Sequence, residues 1–414
     1  MKVGRRYAVL LAVVLATALA LLGARATPAA HAGAKAANLT IWVDNVQKPA
    51  ITKVADSWGT RRGVNVNVQF HSFGNIRDDL KTVKAENAPD VIVGAHDWTG
   101  DLAANGLVLP LFPTKAIRKQ FPKYALDAFS YGGRLYGAPY ALENVGLVVN
   151  TRLAKVPKTW AQLEKEALAF KNKDANNIGI AVPQGANGDA YHMYPFFSGL
   201  GGFVFGHAKN GALQVSKLGV ANKTFLKNAP LIDKWNREGL INSKIAYGDA
   251  KNAWLKGNAA FWITGPWEID GIKASGYPFR IVQLPKIKYR SVPFLGVQGT
   301  MVTKFAQTHG VVSLAKDLVA NEMMKASFQL DLERANLRYP ANKVAGKRVN
   351  DPILKQFGKA GVGGVPMPNI PQMSSVWQDL GQAWVRSTKG SGATPARTAF
   401  ALAQKNIRDK IAGG

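Results

Sequence analysis

Pro366-Met-Pro-Asn-Ile-Pro-Gln-Met-Ser-Ser-Val-Trp377 joins two kinds of backbone within one short stretch. Pro366, Pro368 and Pro371 hold the chain extended and forbid a helix before Pro371. Residues 372–386 are helix-compatible, with Met373, Val376, Trp377, Leu380, Ala383 and Trp384 at steps of three and four. A rigid, kinked arm therefore feeds a helix whose first turns carry Trp377. On spacing alone, that Trp reads as a core residue.

The rest of the chain sets the frame for this arm. At 414 residues the protein is too long for one hydrophobic core, which predicts two lobes. Its 47% hydrophobic, 19% charged and 9% aromatic content is that of a globular chain. The absence of cysteine excludes disulfides, thiolate metal sites, a Cys nucleophile and a lipid-modified N-terminal Cys. At the N-terminus, Lys2, Arg5 and Arg6 precede an apolar run at residues 8–22, and Ala30-His-Ala32 suits signal cleavage. That run is shorter than the roughly 20 apolar residues of a membrane span. Residues 1–32 thus read as a signal peptide, and the mature protein as one secreted across the cytoplasmic membrane to the periplasm or cell-surface space, without a lipid anchor. The net charge of +27 stays strongly basic once Lys2, Arg5, Arg6 and Arg25 leave with the signal. The basic residues are scattered and lack an aromatic–basic nucleic-acid motif, so the charge reads as a solvated surface that favours an anionic membrane or wall, with no nucleic-acid partner.

Strand and helix signals alternate, which predicts α/β sheets with parallel strands. Strands are expected at Leu39-Thr-Ile-Trp-Val43, at residues 64–70 with strict period two, and at 90–93, 146–149, 179–182, 259–263, 281–284 and 301–303. Helices are expected at 49–58, 160–171, 221–238 and 311–324. In open α/β sheets ligands bind where loops leave the carboxyl ends of strands. The loops at 44–48, 94–100 and 265–270 leave strands in this way, which clusters them.

Six strings carry more than composition: Ala88-Pro-Asp-Val-Ile-Val-Gly-Ala-His-Asp97, Tyr136-Gly-Ala-Pro-Tyr-Ala-Leu-Glu143, Pro157-Lys-Thr-Trp160, Ile263-Thr-Gly-Pro-Trp267, Pro293-Phe-Leu-Gly-Val297 and the arm at 367–377. In order and spacing, the chain resembles the maltose/maltodextrin-binding proteins, the extracellular sugar receptors of ABC importers, over essentially its whole mature length. The resemblance implies a periplasmic-binding-protein-like fold of two doubly wound lobes, with a hinge and an interlobe ligand cleft. It places the first lobe at 33–141 plus 297–325 and the second at 142–296 plus 326–414, with crossings near 141–144, 293–298 and 324–326. It also implies a monomer without cofactor or metal that hands maltose, maltodextrin or a related oligosaccharide to a membrane permease.

By the same resemblance Asp97, Glu143, Asp189, Tyr191, Trp267 and Trp377 fall on sugar-contact positions. Aromatic rings suit the C–H face of a sugar and carboxylates suit its hydroxyl rim. Taken singly, Asp97 also suits a helix cap, Glu143 a solvated loop acid, Asp189 and Tyr191 a surface, and Trp267 a buried turn. In the first loop Asp44 or Asn45 with Lys48 supplies an acid–base pair. Four positions depart from the family: Gly94 and Trp98 stand where a Trp and an Arg flank the acid, so an aromatic has moved by four residues. Gly381 replaces an Arg and Gln378 a Tyr. These departures bear on which sugar binds, not on the carbohydrate class. A glycan-processing enzyme is the rival reading, since glycosidases need two carboxylates about 5–10 Å apart. Nothing in the family uses Asp97, Glu143 or Asp189 in that way, and the six histidines show no metal-ligand spacing. The chain is expected to be a receptor, not an enzyme.

Overall fold

The structure is a computed structural model that describes residues 37–209 and 211–413, so the expected signal peptide lies outside the described residues. Two sheets organise the fold. The larger contains β1 (Ala37–Val43), β2 (Val64–Phe70), β3 (Val91–Ala95), β4 (Gly137–Glu143), β8 (Phe294–Val302), β9 (Tyr339–Pro340) and β10 (Val365–Pro366). Its order is β9-β4-β8-β3-β1-β2, with β10 pairing to β8. The smaller sheet is β6-β5-β7, where β5 is Gly146–Asn150, β6 is Phe261–Thr264 and β7 is Phe279–Val282. β3 and β5 are buried along their whole length, as strands covered on both faces must be.

Helices cover these sheets for local reasons. α1 (Lys48–Arg62) has a proline in its first turn, ends at Gly63 in the left-handed region (φ 65°), and buries Ile51, Val54 and Trp58 at helical spacing. α2 is Phe73–Thr82. α3 (Trp160–Lys171) starts with a capping box between Thr159 and Gln162. α4 (Ala190–Gly199) is capped by Asp189, whose carboxylate accepts from the His192 backbone N–H. α5 (Ala326–Ala335) packs on α1, and α6 (Pro352–Ala360) packs on β7 and β5. α7 (Trp377–Thr388) packs between α4 and α8 (Ala396–Gly413). Among the described residues no helix is long and apolar enough to cross a membrane.

Several expectations need correction. The sheets are not simply parallel. β1 and β3 pair parallel, but β8 runs antiparallel to β3 and β4, and β6 and β7 run antiparallel to β5. The cause is topological: β8 carries the chain from the smaller sheet back into the larger one, so it enters from the opposite end. Residues 179–182 form bridges, not a strand. The helix expected over 221–238 breaks at Pro230 into Lys223–Asn228 and Pro230–Glu238. The helix expected at 311–324 changes to a π-helical turn at Asp317–Glu322. In the arm, Pro371–Ser375 is a 3-10 turn, and the α-helix begins at Trp377 instead of residue 372. Residues 326–346 pack against elements of the larger sheet and its helices. α5 lies on α1, β9 pairs with β4, and Asn342 donates to Gln120 Oε1 and Met324 O.

Candidate functional site

The carboxyl ends of β1, β3 and β6 turn into the segments 44–47, His96–Trp98 and Pro266–Glu268, and all three border one cavity of about 520 Å³. Its wall includes Asp44, Asp97, Trp98, Glu143, Asp189, Tyr191, Trp267 and Trp377, residues separated by up to 333 positions in sequence but joined by topology. Lys48 does not reach this wall, which corrects the expected acid–base pair of the first loop. Asp44 explains why. Its Oδ1 accepts from the Val46 and Gln47 backbone N–H groups at 2.7 and 2.9 Å, forming a turn that points Gln47, not Lys48, inward.

Asp97 anchors one side. It is 5% exposed, and its Oδ2 accepts the Trp377 indole N–H at 3.0 Å. Burial pushes its carboxyl up to about 6, against the opposing pull of the Arg77 charge and the Trp377 hydrogen bond. Arg77 comes from α2, a helix that carried no motif, and its fork is tied to Asp78 at 2.9 and 3.0 Å. The displaced aromatic has a steric explanation. A Cβ built on Gly94 would stand 2.0 Å from the Trp98 ring, so Trp98 occupies the space that a side chain at 94 would take. The Trp98 ring also packs against Phe73 at 5.0 Å.

The facing side is aromatic. Trp267 lies 6.1 Å from Tyr191 and 5.6 Å from His192, and its own ring fills the space over Gly265. Tyr194 stacks on Phe294 at 3.5 Å, and Phe294 meets the edge of Trp377 at 5.7 Å. Asp189 does not present a free carboxylate. Besides capping α4 it holds the His192 Nδ1 at 2.6 Å. Burial alone would raise the Asp189 carboxyl, but the imidazole and the hydrogen bonds at the helix start hold it below its usual range. Tyr247 donates to Glu268 at 2.5 Å, and burial beside that carboxylate pushes its hydroxyl far up.

Glu143 is engaged as well. It forms a buried ion pair with Arg338 and accepts from Gln298 Nε2 at 2.7 Å. The Arg338 guanidinium also lies 5.6 Å from the centre of the Trp267 ring. Around the cavity, five buried polar atoms have no protein partner among the described residues: Gln47 Oε1, Tyr191 Oη, His192 Nε2, Gln298 Oε1 and Arg338 Nε. Buried polar groups are ordinarily hydrogen-bonded, so this wall suits a polar, uncharged guest. No group of three or more His, Asp or Glu side chains converges as metal ligands among the described residues.

Two family departures are explained by packing. A Cβ on Gly381 would meet Asn187 O at 3.0 Å, and one on Gly188 would meet Gly381 O at 2.2 Å. The loop leading to Asp189 thus lies backbone-to-backbone on α7, leaving no room for an Arg at 381. Gln378 is exposed and reaches Lys410 instead of the cavity. His96, next to the anchoring acid, is structural. It accepts from the Val297 N–H, donates to Met367 O, and burial pulls its pKa down to about 4. Phe73, Arg77, His192, Tyr247, Gln298 and Arg338 were not expected on the wall. Only the fold brings them there.

A family model described as bacterial extracellular solute-binding protein matches residues 53–355. The chain belongs to this family. Its members include relatives that match almost end to end. A maltodextrin-binding protein of Bacillus subtilis is 27% identical, over 98% of each chain. A galactooligosaccharide-binding protein of the same species is 25% identical, over 99% of this chain and 98% of its own. A maltooligosaccharide ABC transporter solute-binding lipoprotein of Streptococcus pneumoniae is 26% identical, over 93% of this chain and 92% of its own. The fold of this solute-binding protein is accordingly the two-lobe, periplasmic-binding-protein-like α/β architecture, and its place is outside the cytoplasm.

Proposed function

We propose that this solute-binding protein captures a maltose- or maltodextrin-type oligosaccharide and delivers it, by lobe closure, to the permease of an ABC importer. The reading rests on one coincidence: six aromatic side chains (Phe73, Trp98, Tyr191, Tyr247, Trp267, Trp377) and five partnerless polar atoms border the same cavity of about 520 Å³. Rings cover the apolar face of a sugar while the polar atoms meet its hydroxyls. The names of the relatives point to the same class. In this reading the first lobe gains residues 326–346 because of their packing on α1 and β4, and the third crossing falls between 346 and 352. Closure favours the bound state because only then do both walls touch the sugar. In this reading the protein acts as a monomer outside the cytoplasm. A receptor is favoured over a glycosidase because two of the expected acids are already engaged, Glu143 by Arg338 and Asp189 by His192.

The test is a melting-temperature screen over glycans, since a ligand at 100 times its Kd stabilises the fold by about 2.7 kcal/mol. Maltotriose is expected to raise the melting temperature, and incubation with it to release no shorter sugars. If maltose, maltotriose and cyclodextrins leave it unmoved while galactooligosaccharides raise it, the ligand class is that of the second Bacillus relative. If no glycan moves it, the sugar reading is wrong.

A further inference from the structure

Sheet register brings three residues side by side that are far apart in sequence. β9 pairs Tyr339 with Leu142, which sets Arg338 opposite Glu143 at the end of β4. On the other side β8 pairs Gly296 with Glu143. Two residues on, the register of β8 against β4 shifts between Gln298 and Gly299. Such an irregularity re-aims a side chain, and Gln298 turns its amide onto Glu143. Glu143 thus receives an arginine from one neighbouring strand and a glutamine from the other.

Each of these partners keeps one group over. Arg338 binds Glu143 through Nη1, and its Nε–H, a pure donor, is buried without a partner. Gln298 binds through Nε2, and its Oε1, a pure acceptor, is buried without a partner. Arg338 is 5% exposed and Gln298 6%. The Tyr191 hydroxyl, also partnerless, borders the same gap: a Cβ on Gly296 would lie 3.3 Å from it and 3.4 Å from Glu143 Oε1. All four side chains line the cavity. A buried ion pair is weak as a source of stability, because apolar residues of similar volume often serve the fold as well. A pair that leaves one donor and one acceptor beside a ligand cavity serves recognition instead.

We propose that Arg338 and Gln298 are specificity-determining residues, which convert the Glu143 anion into the anchor of an uncharged donor–acceptor pair that reads two hydroxyls of one sugar unit. This inference rests on the oligosaccharide reading given above. One hydroxyl accepts from Arg338 Nε–H, and the other donates to Gln298 Oε1. The Glu143 charge is already matched, so this end of the cavity selects neutral hydroxyls and gains nothing from a cationic sugar. Trp267, beneath the guanidinium, fixes the height at which the ring of that unit sits.

The experiment measures Kd by calorimetry for maltotriose and its monodeoxy analogues, with the wild type, Arg338→Lys and Gln298→Met. The lysine keeps the charge on Glu143 but lacks the Nε–H fork, and the methionine keeps the ion pair intact. In the wild type, removing either of the two hydroxyls is expected to weaken binding roughly ten-fold. In Arg338→Lys one of those two penalties should vanish, and in Gln298→Met the other, while all remaining penalties persist. A purely structural role would weaken every analogue equally. Wild-type binding of maltotriose with the whole pattern of penalties unchanged in both variants overturns the inference and leaves the receptor reading standing. Failure of the wild type to bind maltotriose removes the maltodextrin reading, and this inference with it. Should Arg338→Lys not fold, Gln298→Met decides alone.

Discussion

Asp97 and Glu143 border the same cavity and are almost equally hidden, 5% and 9% exposed, yet the protein treats the two acids in opposite ways. Glu143 lies between two strands that supply an arginine and a glutamine, so its charge is neutralised at contact distance. Asp97 sits on a 3-10 turn, where its side chain meets one indole N–H, while the Arg77 fork is tied to Asp78. Burial therefore dominates at Asp97 and lifts its pKa to about 6. One acid is a fixed anchor; the other is a carboxylate with lone pairs to offer. The lesson is that equal burial does not imply equal chemistry, and that the partner on the neighbouring element decides.

The contrast breaks most visibly at the anchor. Arg338→Met leaves Glu143 buried without its cation, and is expected to lower unfolding free energy in urea by about 3–5 kcal/mol. Adding Glu143→Gln should restore most of that loss. A single-variant loss below about 1 kcal/mol would mean that Glu143 does not depend on Arg338.

At Asp97 the sign reverses. Its folded pKa lies above the unfolded value of 3.8, so its contribution is fully present below pH 3.8 and lost as pH rises through 6. His96 has the opposite slope: buried and neutral, its contribution is present above 6.5 and lost as pH falls through 4. Each amounts to about 3 kcal/mol and they nearly cancel, so the ligand-free protein should show little change in stability between pH 4 and 6.5. Asp97→Asn is expected to stabilise it by about 2–3 kcal/mol at pH 7.5 and to expose the His96 slope. Urea midpoints across that pH range check both. A variant as flat as the wild type would place the Asp97 charge in water.

The smallest effect sharpens the comparison from the ligand side. Trp377 is half-buried and spans Asp97 and Phe294, so Trp377→Ala should weaken maltotriose binding by about 1–3 kcal/mol and lower ligand-free stability by only about 1–2 kcal/mol, the loss of its hydrogen bond to Asp97. A core residue would instead cost about 3–5 kcal/mol of folding stability.

The sequence carried the elements that repeat a local rule, and the resemblance supplied the site positions that lie in recognisable strings. Residues 64–70 alternate and form β2, the helix expected at 160–171 is α3, and Asp97 and Trp377 meet across 280 positions. What stayed hidden depends on contacts between elements. Arg338 precedes a two-residue strand without any pattern, and only the register with β4 sets it opposite Glu143. His192 looks like one more polar residue on α4 until the Asp189 cap turns its ring. Lys48 lies off the cavity wall because the Asp44 carboxylate turns back onto its own loop and brings Gln47 inward, a local competition that no spacing reveals.

The ring of Trp98 over Gly94 has a consequence for how this binding wall can change over generations. A Cβ at 94 meets that ring at 2.0 Å, so no substitution at 94 is tolerated while Trp98 keeps its present pose. The reverse order is open: a smaller residue at 98 first clears the space, and position 94 can then grow. Positions 94 and 98 are therefore coupled through the one space that the Trp98 ring fills. Libraries that probe this wall therefore need to vary 94 and 98 together, because a side chain added at 94 alone meets the Trp98 ring.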